Sequence, residues 1–459
     1  MGKAANGRNP RATVLIYSGV AILAILSSLF LAKSTDLSVY WYGVTGFFSG
    51  TRPAYGPASG LGFPMEYRYP PVTYLLLFPL KYLSFRAAGF WWMLAAWVNG
   101  TVAVSLAIRI RGLRFSPRAV AACCAFMLAY IVLAVRYGNV QPFVIAWIFL
   151  ALILAEAHTF WAGILLALAV TFKIWPVLFL PLFFFRSRRR AILSFAVSLS
   201  VLWIAPIAAF GATRYWTLLQ DWYGAVGRVG TTSSEFYYFP GQSLRGLLLR
   251  YLTPVAPPLN TFPRINVLSL SPHTAMILWM ALAFAIYCFF VVQLLRSDPR
   301  TLWTWDGLAF VLYSMLEPYA VKSGLISLGP AALTATCLFT LGTRKERNLP
   351  ERAQRLASIA NGLFLAACAI SFAQAILQYK SWQRYLLSFG LDFWGEVLLL
   401  GAFFIWIRWT GLAEGDPPCS LTARMETTVY RTYAGTGLPH SANAHSPWQQ
   451  TGTELKHHS

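Results

Sequence analysis

Asp36-Leu37-Ser38-Val39-Tyr40-Trp41-Tyr42 and, after a Gly/Pro/Ser-rich passage, Glu66-Tyr67-Arg68-Tyr69-Pro70-Pro71 form the stretch on which the fold turns. Just before it, residues 13–32 are an apolar run of about one bilayer thickness of helix, roughly 20 residues. After it, one apolar run follows another almost to the C-terminus. A lone carboxylate, a row of aromatics, an arginine and a stiff Pro-Pro pair therefore stand at the edge of a hydrophobic slab.

The composition agrees. Of 459 residues 57% are hydrophobic and 12% charged, against roughly 25% charged in a soluble domain. The 18 Trp, 22 Tyr and 33 Phe suit interfacial belts. The net charge of +21 lies in short loops between apolar runs, as cytoplasmic loops do. Anionic lipid, not nucleic acid, is the natural partner. Six cysteines form no ligand-spaced pair, and five of them (Cys123, Cys124, Cys288, Cys337 and Cys368) sit inside apolar runs. They read as small packing residues rather than disulfides or metal ligands. His440, His445, His457 and His458 lie in the polar C-terminal tail.

The expected fold is all-α, a polytopic transmembrane helix bundle of about 12 spans whose outer loops carry short helices. Residues 1–12 form a cytoplasmic N-terminus, 13–411 the transmembrane domain, and 412–459 a polar, disordered cytoplasmic tail. The outer side holds the loops 33–69 and 211–272. Arg109, Arg111, Arg114 and Arg118, then Arg186 to Arg190, then Arg344, Lys345 and Arg347 mark the cytoplasmic face. Thirteen apolar runs with both termini inside leave one that does not cross. Residues 70–83, which open on Pro-Pro, are the candidate. Residues 159–172 and 174–185, interrupted by Lys173, read as a broken hairpin.

Few groups on the outer side can do chemistry. Asp36 reads equally as a helix N-cap and as a general base for a weakly nucleophilic hydroxyl, and the two roles can coexist. Arg68 reads as a snorkelling anchor or as a planar donor fork for a phosphate, with Tyr67 or Tyr69 facing a sugar. Lys173 interrupts an apolar run at a cost. It is either a solvated turn residue or a bundle-facing cation for a phosphate. Arg136, Gly138, Asn139 and Gln141 make a polar outer turn. Gly241-Gln242-Ser243-Leu244-Arg245-Gly246 is an ordinary cap or an anion site at a helix start. Glu317-Pro318-Tyr319 with Lys322 reads as an exposed ion pair. No nucleotide-binding, zinc or nucleophile-elbow motif is present.

Over about residues 36–341 the order of these pieces resembles glycosyltransferase family 87, a group of polyprenyl-phosphate-sugar-dependent transferases of the GT-C superfamily. The pieces are Asp36 with Tyr40, Tyr69-Pro70-Pro71, Gly138-Asn139 in place of the usual Gly-Gln, Gly163 then Lys173 and Pro176, and Gln242-Ser243 in place of Asn-Gln-Ser. Gly241 replaces the usual Asn, and the turn from Glu317 to Lys322 lacks the Ser-Pro and His often found there. The resemblance implies a GT-C-like fold and inverting transfer of a hexose or pentose, mannose or arabinose foremost. The donor is a polyprenyl phosphate and the acceptor an extracytoplasmic lipid or glycan. It also implies Asp36 as general base.

The expected site is then Asp36 as the catalytic base, with Arg68, Lys173, Arg245 and Lys322 on the donor phosphate. Tyr40, Tyr67, Tyr69, Asn139 and Gln242 bind sugar or acceptor. No metal and no cofactor is expected, because basic side chains take the metal's role. The expected location is a multi-pass inner (plasma) membrane protein with an extracytoplasmic site. The alternative is a transporter or lipid flippase that moves its substrate without covalent transfer.

Overall fold

The computed structural model describes residues 18–19, 21–23, 25–27, 29, 35–55, 66–111, 113, 115–228, 241–254, 263–318, 324–343, 351–376 and 380–412. All of them lie in one unit, Met1–Pro417. The N-terminal segment 1–12, the tail beyond 412, Cys419 and Lys322 lie outside the described residues.

Every regular element among the described residues is a helix. In order they are α1 (Thr35–Ser49), α2 (Val72–Leu76), α3 (Phe85–Arg111), α4 (Pro117–Tyr137), α5 (Gln141–Leu154), α6 (Thr159–Phe172), α7 (Arg190–Phe210) and α8 (Ala212–Arg228). Then come α9 (Leu244–Leu252), α10 (Pro272–Leu295), α11 (Leu302–Leu316), α12 (Gly329–Gly342), α13 (Glu351–Ile376), α14 (Lys380–Ser388) and α15 (Leu391–Leu412). Six helical stretches among the described residues are long and apolar enough to cross a membrane: Phe85–Arg111, Pro117–Tyr137, Arg190–Phe210, Pro272–Leu295, Gly324–Gly342 and Glu351–Ala373. The chain is an all-α polytopic integral membrane bundle.

Burial separates an outer set of helices from an inner one. On α7 and α10, Leu193, Val201, Ile204 and Phe284 are exposed. A soluble protein rarely tolerates such contiguous apolar faces, whereas lipid chains solvate them. By contrast α5, α6 and α11 run through the interior, and nearly every residue of α11 is buried. Helices that are apolar all round belong in such a place. Gly163 lets α6 lie backbone to backbone on α7, because a Cβ there would collide with the Phe195 nitrogen.

Residues 70–83 form no helix long enough to cross a membrane. They form the five-residue α2 and a five-residue 3-10 turn, Phe78–Tyr82. Pro71 precedes α2, and Pro79 opens the next turn. The broken hairpin also takes shape. α6 stops at Lys173, whose extended backbone (φ −142°, ψ 132°) ends the helix. The chain continues as a 3-10 turn, Trp175–Phe183, which contains Pro176 and Pro181.

At one end of the interior helices sits an ionic knot. Arg188, fully buried, clasps Asp306 with both guanidinium nitrogens at 2.6 and 2.9 Å. It also meets Glu156 at 3.1 Å, and Arg111 reaches Asp306 at 3.2 Å. Arg111 and Arg188 are thus structural ties as well as marks of a basic face. An acid inside the apolar run of α11 is tolerable only with such partners.

Candidate active site at the opposite rim

The other ends of α5, α6 and α11 carry a second polar cluster, and the turn after α4 builds it. Gly138 caps α4 in the left-handed region (φ +63°), its N–H bonding Ala134 O and Val135 O. The chain reverses there and presents Asn139. The Asn139 Oδ1 accepts from the Gln141 N–H at 2.8 Å. That fixes the amide's orientation, so its Nδ2 must face outward as a donor. It donates to Asp36 Oδ2 at 2.7 Å.

Asp36 lies in the first turn of α1, where an acid suits the helix dipole. Burial raises its carboxyl from 3.8 to about 6, opposed by the Asn139 hydrogen bond and the Lys173 charge. Such a carboxylate is ionised at neutral pH yet more basic than an exposed aspartate, as a general base should be.

Lys173 does not stand alone. Its Nζ pairs with Glu317 Oε1 at 2.7 Å, and the Glu317 side chain is 5% exposed. Glu317 caps the C-terminus of α11, an unfavourable place for an anion, so the lysine and the carboxylate stabilise each other. Gln141 Nε2 reaches Tyr313 OH at 3.2 Å and Glu317 Oε2 at 3.4 Å. The expected exposed pair around Glu317 is therefore corrected: Glu317 is buried and bound to Lys173, 144 residues away. Lys173 is a partly buried cation held by an anion.

Aromatic side chains wall this cluster. Tyr40 stands one turn after Asp36, on the same helix face. Its hydroxyl accepts from the Val140 N–H at 3.3 Å and shares a hydrogen bond with Tyr69 OH at 3.0 Å. Burial pushes both phenols up, so they are neutral hydrogen-bonding groups. Tyr67 is fully buried, stacked on Tyr74 with ring centroids 4.5 Å apart and bonded to Thr73 Oγ1 at 2.7 Å. It supports the wall and has no free face for a sugar. Arg68 adjoins Tyr69 and acts on it electrostatically, while its carbonyl accepts from Trp222 Nε1 at 3.0 Å.

Helix α9 docks on this region by its start. Ser243 caps it through the Gly246 N–H and also donates to Pro318 O at 3.1 Å. Gln242 is fully buried and donates to Leu387 O at 3.1 Å. Arg245 is buried with its Nε against Met276 Sδ at 3.4 Å. Through these bonds both engage the scaffold.

Asp36, Tyr40, Tyr69, Asn139 and Lys173 thus meet at one place. The sequence reading missed Glu317 and Gln141 as members. The available signal was that each sits at the end of a largely apolar run. Among the described residues no group of three or more His, Cys, Asp or Glu could hold a metal ion.

Residues 67–262 match the model of glycosyltransferase family 87. Over 250 residues the chain is 30% identical to the polyprenol-phosphate-mannose-dependent alpha-(1-2)-phosphatidylinositol pentamannoside mannosyltransferase of Mycolicibacterium smegmatis. That alignment covers 51% of this chain and 57% of the relative, so the chain spans a little over half the relative's length. No solved structure matches. The family match includes Tyr69, Asn139, Lys173 and Gln242, and over that stretch the chain is similar to glycosyltransferase family 87.

Proposed function

We propose that the chain is an inverting glycosyltransferase that moves mannose from a polyprenyl phosphate to a glycolipid acceptor at the outer membrane surface. The observation that supports this best is the Asp36 carboxylate, held by Asn139 and kept near pKa 6 beside the Lys173–Glu317 pair. The mannosyltransferase relative supports the donor class and the lipid acceptor. The knot of Arg111 and Arg188 lies at the opposite end of the interior helices. By the positive-inside rule that end is cytoplasmic and the Asp36 end extracytoplasmic.

In the reaction Asp36 takes the proton of the acceptor hydroxyl as its oxygen attacks C1 of the donor sugar. The bond from C1 to the phosphate oxygen breaks, and its electron pair leaves with the lipid phosphate. Attack from the face opposite the leaving group inverts the anomeric centre. The phosphate needs charge stabilisation rather than a proton. Lys173 supplies it from the rim, with Arg68 next along the wall and Arg245 on α9; Lys322, outside the described residues, is a further candidate from the sequence alone. Asn139 fixes Asp36, Tyr40 and Tyr69 shape the acceptor side, and Tyr67 and Gln242 hold the wall and α9 behind them. On this reading metal chelation leaves transfer unchanged.

The test uses the purified protein in nanodiscs with radiolabelled polyprenyl-phosphate mannose and phosphatidylinositol mannosides. Asp36→Asn should lower transfer by about 10²–10⁴-fold, the usual contribution of general-base catalysis. Full transfer by that variant rejects the assignment. Movement of label across liposomes without covalent transfer selects the transporter alternative.

A further inference from the structure

Away from Asp36, a cavity of about 340 Å³ opens between the end of the first outer stretch and α8, lined by Pro53, Tyr55, Gln220, Asp221 and Gly224. It is an open depression with Gln220 and Asp221 exposed at its edge, and its volume is at the lower end for small-ligand sites, roughly 300–1,000 Å³. Both of its walls are fastened to the same strip of chain. Tyr55 donates to Tyr69 O at 2.9 Å, and the neighbouring Ala54 carbonyl accepts from Tyr74 OH. α8 is tied by Trp222 Nε1 to Arg68 O at 3.0 Å. The cavity is therefore built at a fixed offset from Tyr69, whose hydroxyl meets Tyr40 one turn from Asp36.

α8 has three faces. Tyr215, Leu218 and Ala225 are buried inward. Trp216, Tyr223 and Val226 are exposed on another side. Gln220, Asp221 and Gly224 make the third, polar face. Only Gly211 separates α8 from α7, so α8 starts where a membrane-spanning helix ends. Exposed Trp and Tyr there suit headgroup depth. The cavity thus opens beside the membrane surface.

The chemistry of the lining selects a class of ligand. A carboxylate that only accepts and a carboxamide that donates and accepts can bracket two neighbouring hydroxyls. A tyrosine ring offers a face to the C–H side of a pyranose. Gly224 adds no side chain and leaves room for the ring. Asp221 supplies negative charge where a phosphate would be repelled, so the cavity does not suit the donor's head.

We propose that this cavity is a subsite for a non-reacting sugar ring of the acceptor, so that the acceptor is a lipid with an oligosaccharide head. The identification of this sugar as part of an acceptor rests on the transferase reading above; the binding of a sugar at this place does not. The distance from the subsite to Asp36 then measures how much glycan the acceptor must already carry.

The test is saturation-transfer NMR on the protein in nanodiscs with free mannobiose as probe. It compares wild type, Asp36→Asn, the double variant Gln220→Ala/Asp221→Ala and Gly224→Leu, which fills the space without removing a polar group. Mannobiose should bind wild type and Asp36→Asn alike, and about tenfold more weakly to the other two. With the glycolipid acceptor, the same two variants should raise KM about tenfold with a smaller change in kcat. A glycolipid effect without mannobiose binding places recognition on the lipid portion and overturns the subsite. Equal mannobiose binding by all four proteins, with thermal unfolding unchanged, overturns it as well. If wild type transfers no sugar, the transferase reading fails while the mannobiose comparison still decides the subsite.

Discussion

Asn139→Ala tests the electrostatics of the site most directly, because Asn139 contributes one defined hydrogen bond to Asp36, at 2.7 Å. A hydrogen bond to a charged group contributes about 1.5–3 kcal/mol. Water entering at the partly exposed carboxylate replaces some of it, which favours the lower end. At about 1.4 kcal/mol per pH unit, removing the donor should raise Asp36 from about 6 by about one unit. The reaction needs the ionised form, so kcat/KM should rise with pH on an ascending limb near 6 in wild type and near 7 in the variant. At pH 6 the ionised fraction then falls from about one half to about one tenth, a fivefold loss. At pH 8.5 the two proteins should differ little. The assay is kcat/KM for sugar transfer from pH 5 to 9 with saturating donor. A limb that stays in place while activity drops equally at every pH would refute the electrostatic argument and leave Asn139 a purely geometric role.

Asp36→Asn should separate catalysis from folding. The folded carboxyl lies above its ordinary value, so the native state prefers it protonated. Its stability contribution is greatest below about 3.8 and declines as pH rises through about 6. The variant should therefore match wild type in thermal unfolding near pH 3.5 and exceed it at pH 7.5, by at most about 3 kcal/mol. Lys173→Met strands Glu317 at a helix C-terminus and should cost about 3–5 kcal/mol. Adding Glu317→Gln should recover most of that stability but not transfer, as measured by melting in detergent beside the radiolabel assay. Asp306→Ala removes the carboxylate shared by Arg188 and Arg111 and should cost about 3–5 kcal/mol of unfolding free energy, with KM values unchanged in the protein that remains folded.

The sequence was most legible where a residue contradicts its surroundings. Lys173 ends an apolar run, Asp36 follows one, and Gly138-Asn139 interrupts two long ones. Each anomaly was visible alone, and the fold brings all three together. The Pro-Pro start of residues 70–83 also disclosed a segment that forms only short helical turns. Partners were the hidden part. Asp306 meets Arg188 across 118 residues and Arg111 across 195, and no local pattern encodes that pairing. Glu317 stood near Lys322 in sequence, so a local ion pair was the natural reading. In the fold its C-terminal cap on α11 points it inward to Lys173. Tyr67 shows the converse, since a polar residue in a promising motif can be occupied by the scaffold, its hydroxyl on Thr73 and its ring on Tyr74.

The interior helices are short, and this sets a depth. α5 and α6 have fourteen residues each, about 21 Å of rise, while the hydrocarbon slab is about 30 Å thick. α3 and α10, on the outside, have 27 and 24 residues and suffice to cross it. The charged rims are therefore closer together than the two sheets of lipid headgroups, and tilting only brings them nearer. At least one rim lies in a sunken basin inside the bilayer profile. If that basin holds Asp36 and Lys173, a polyisoprenoid can bring its anionic terminus to them while its tail stays in oil, with no need to be hauled into water.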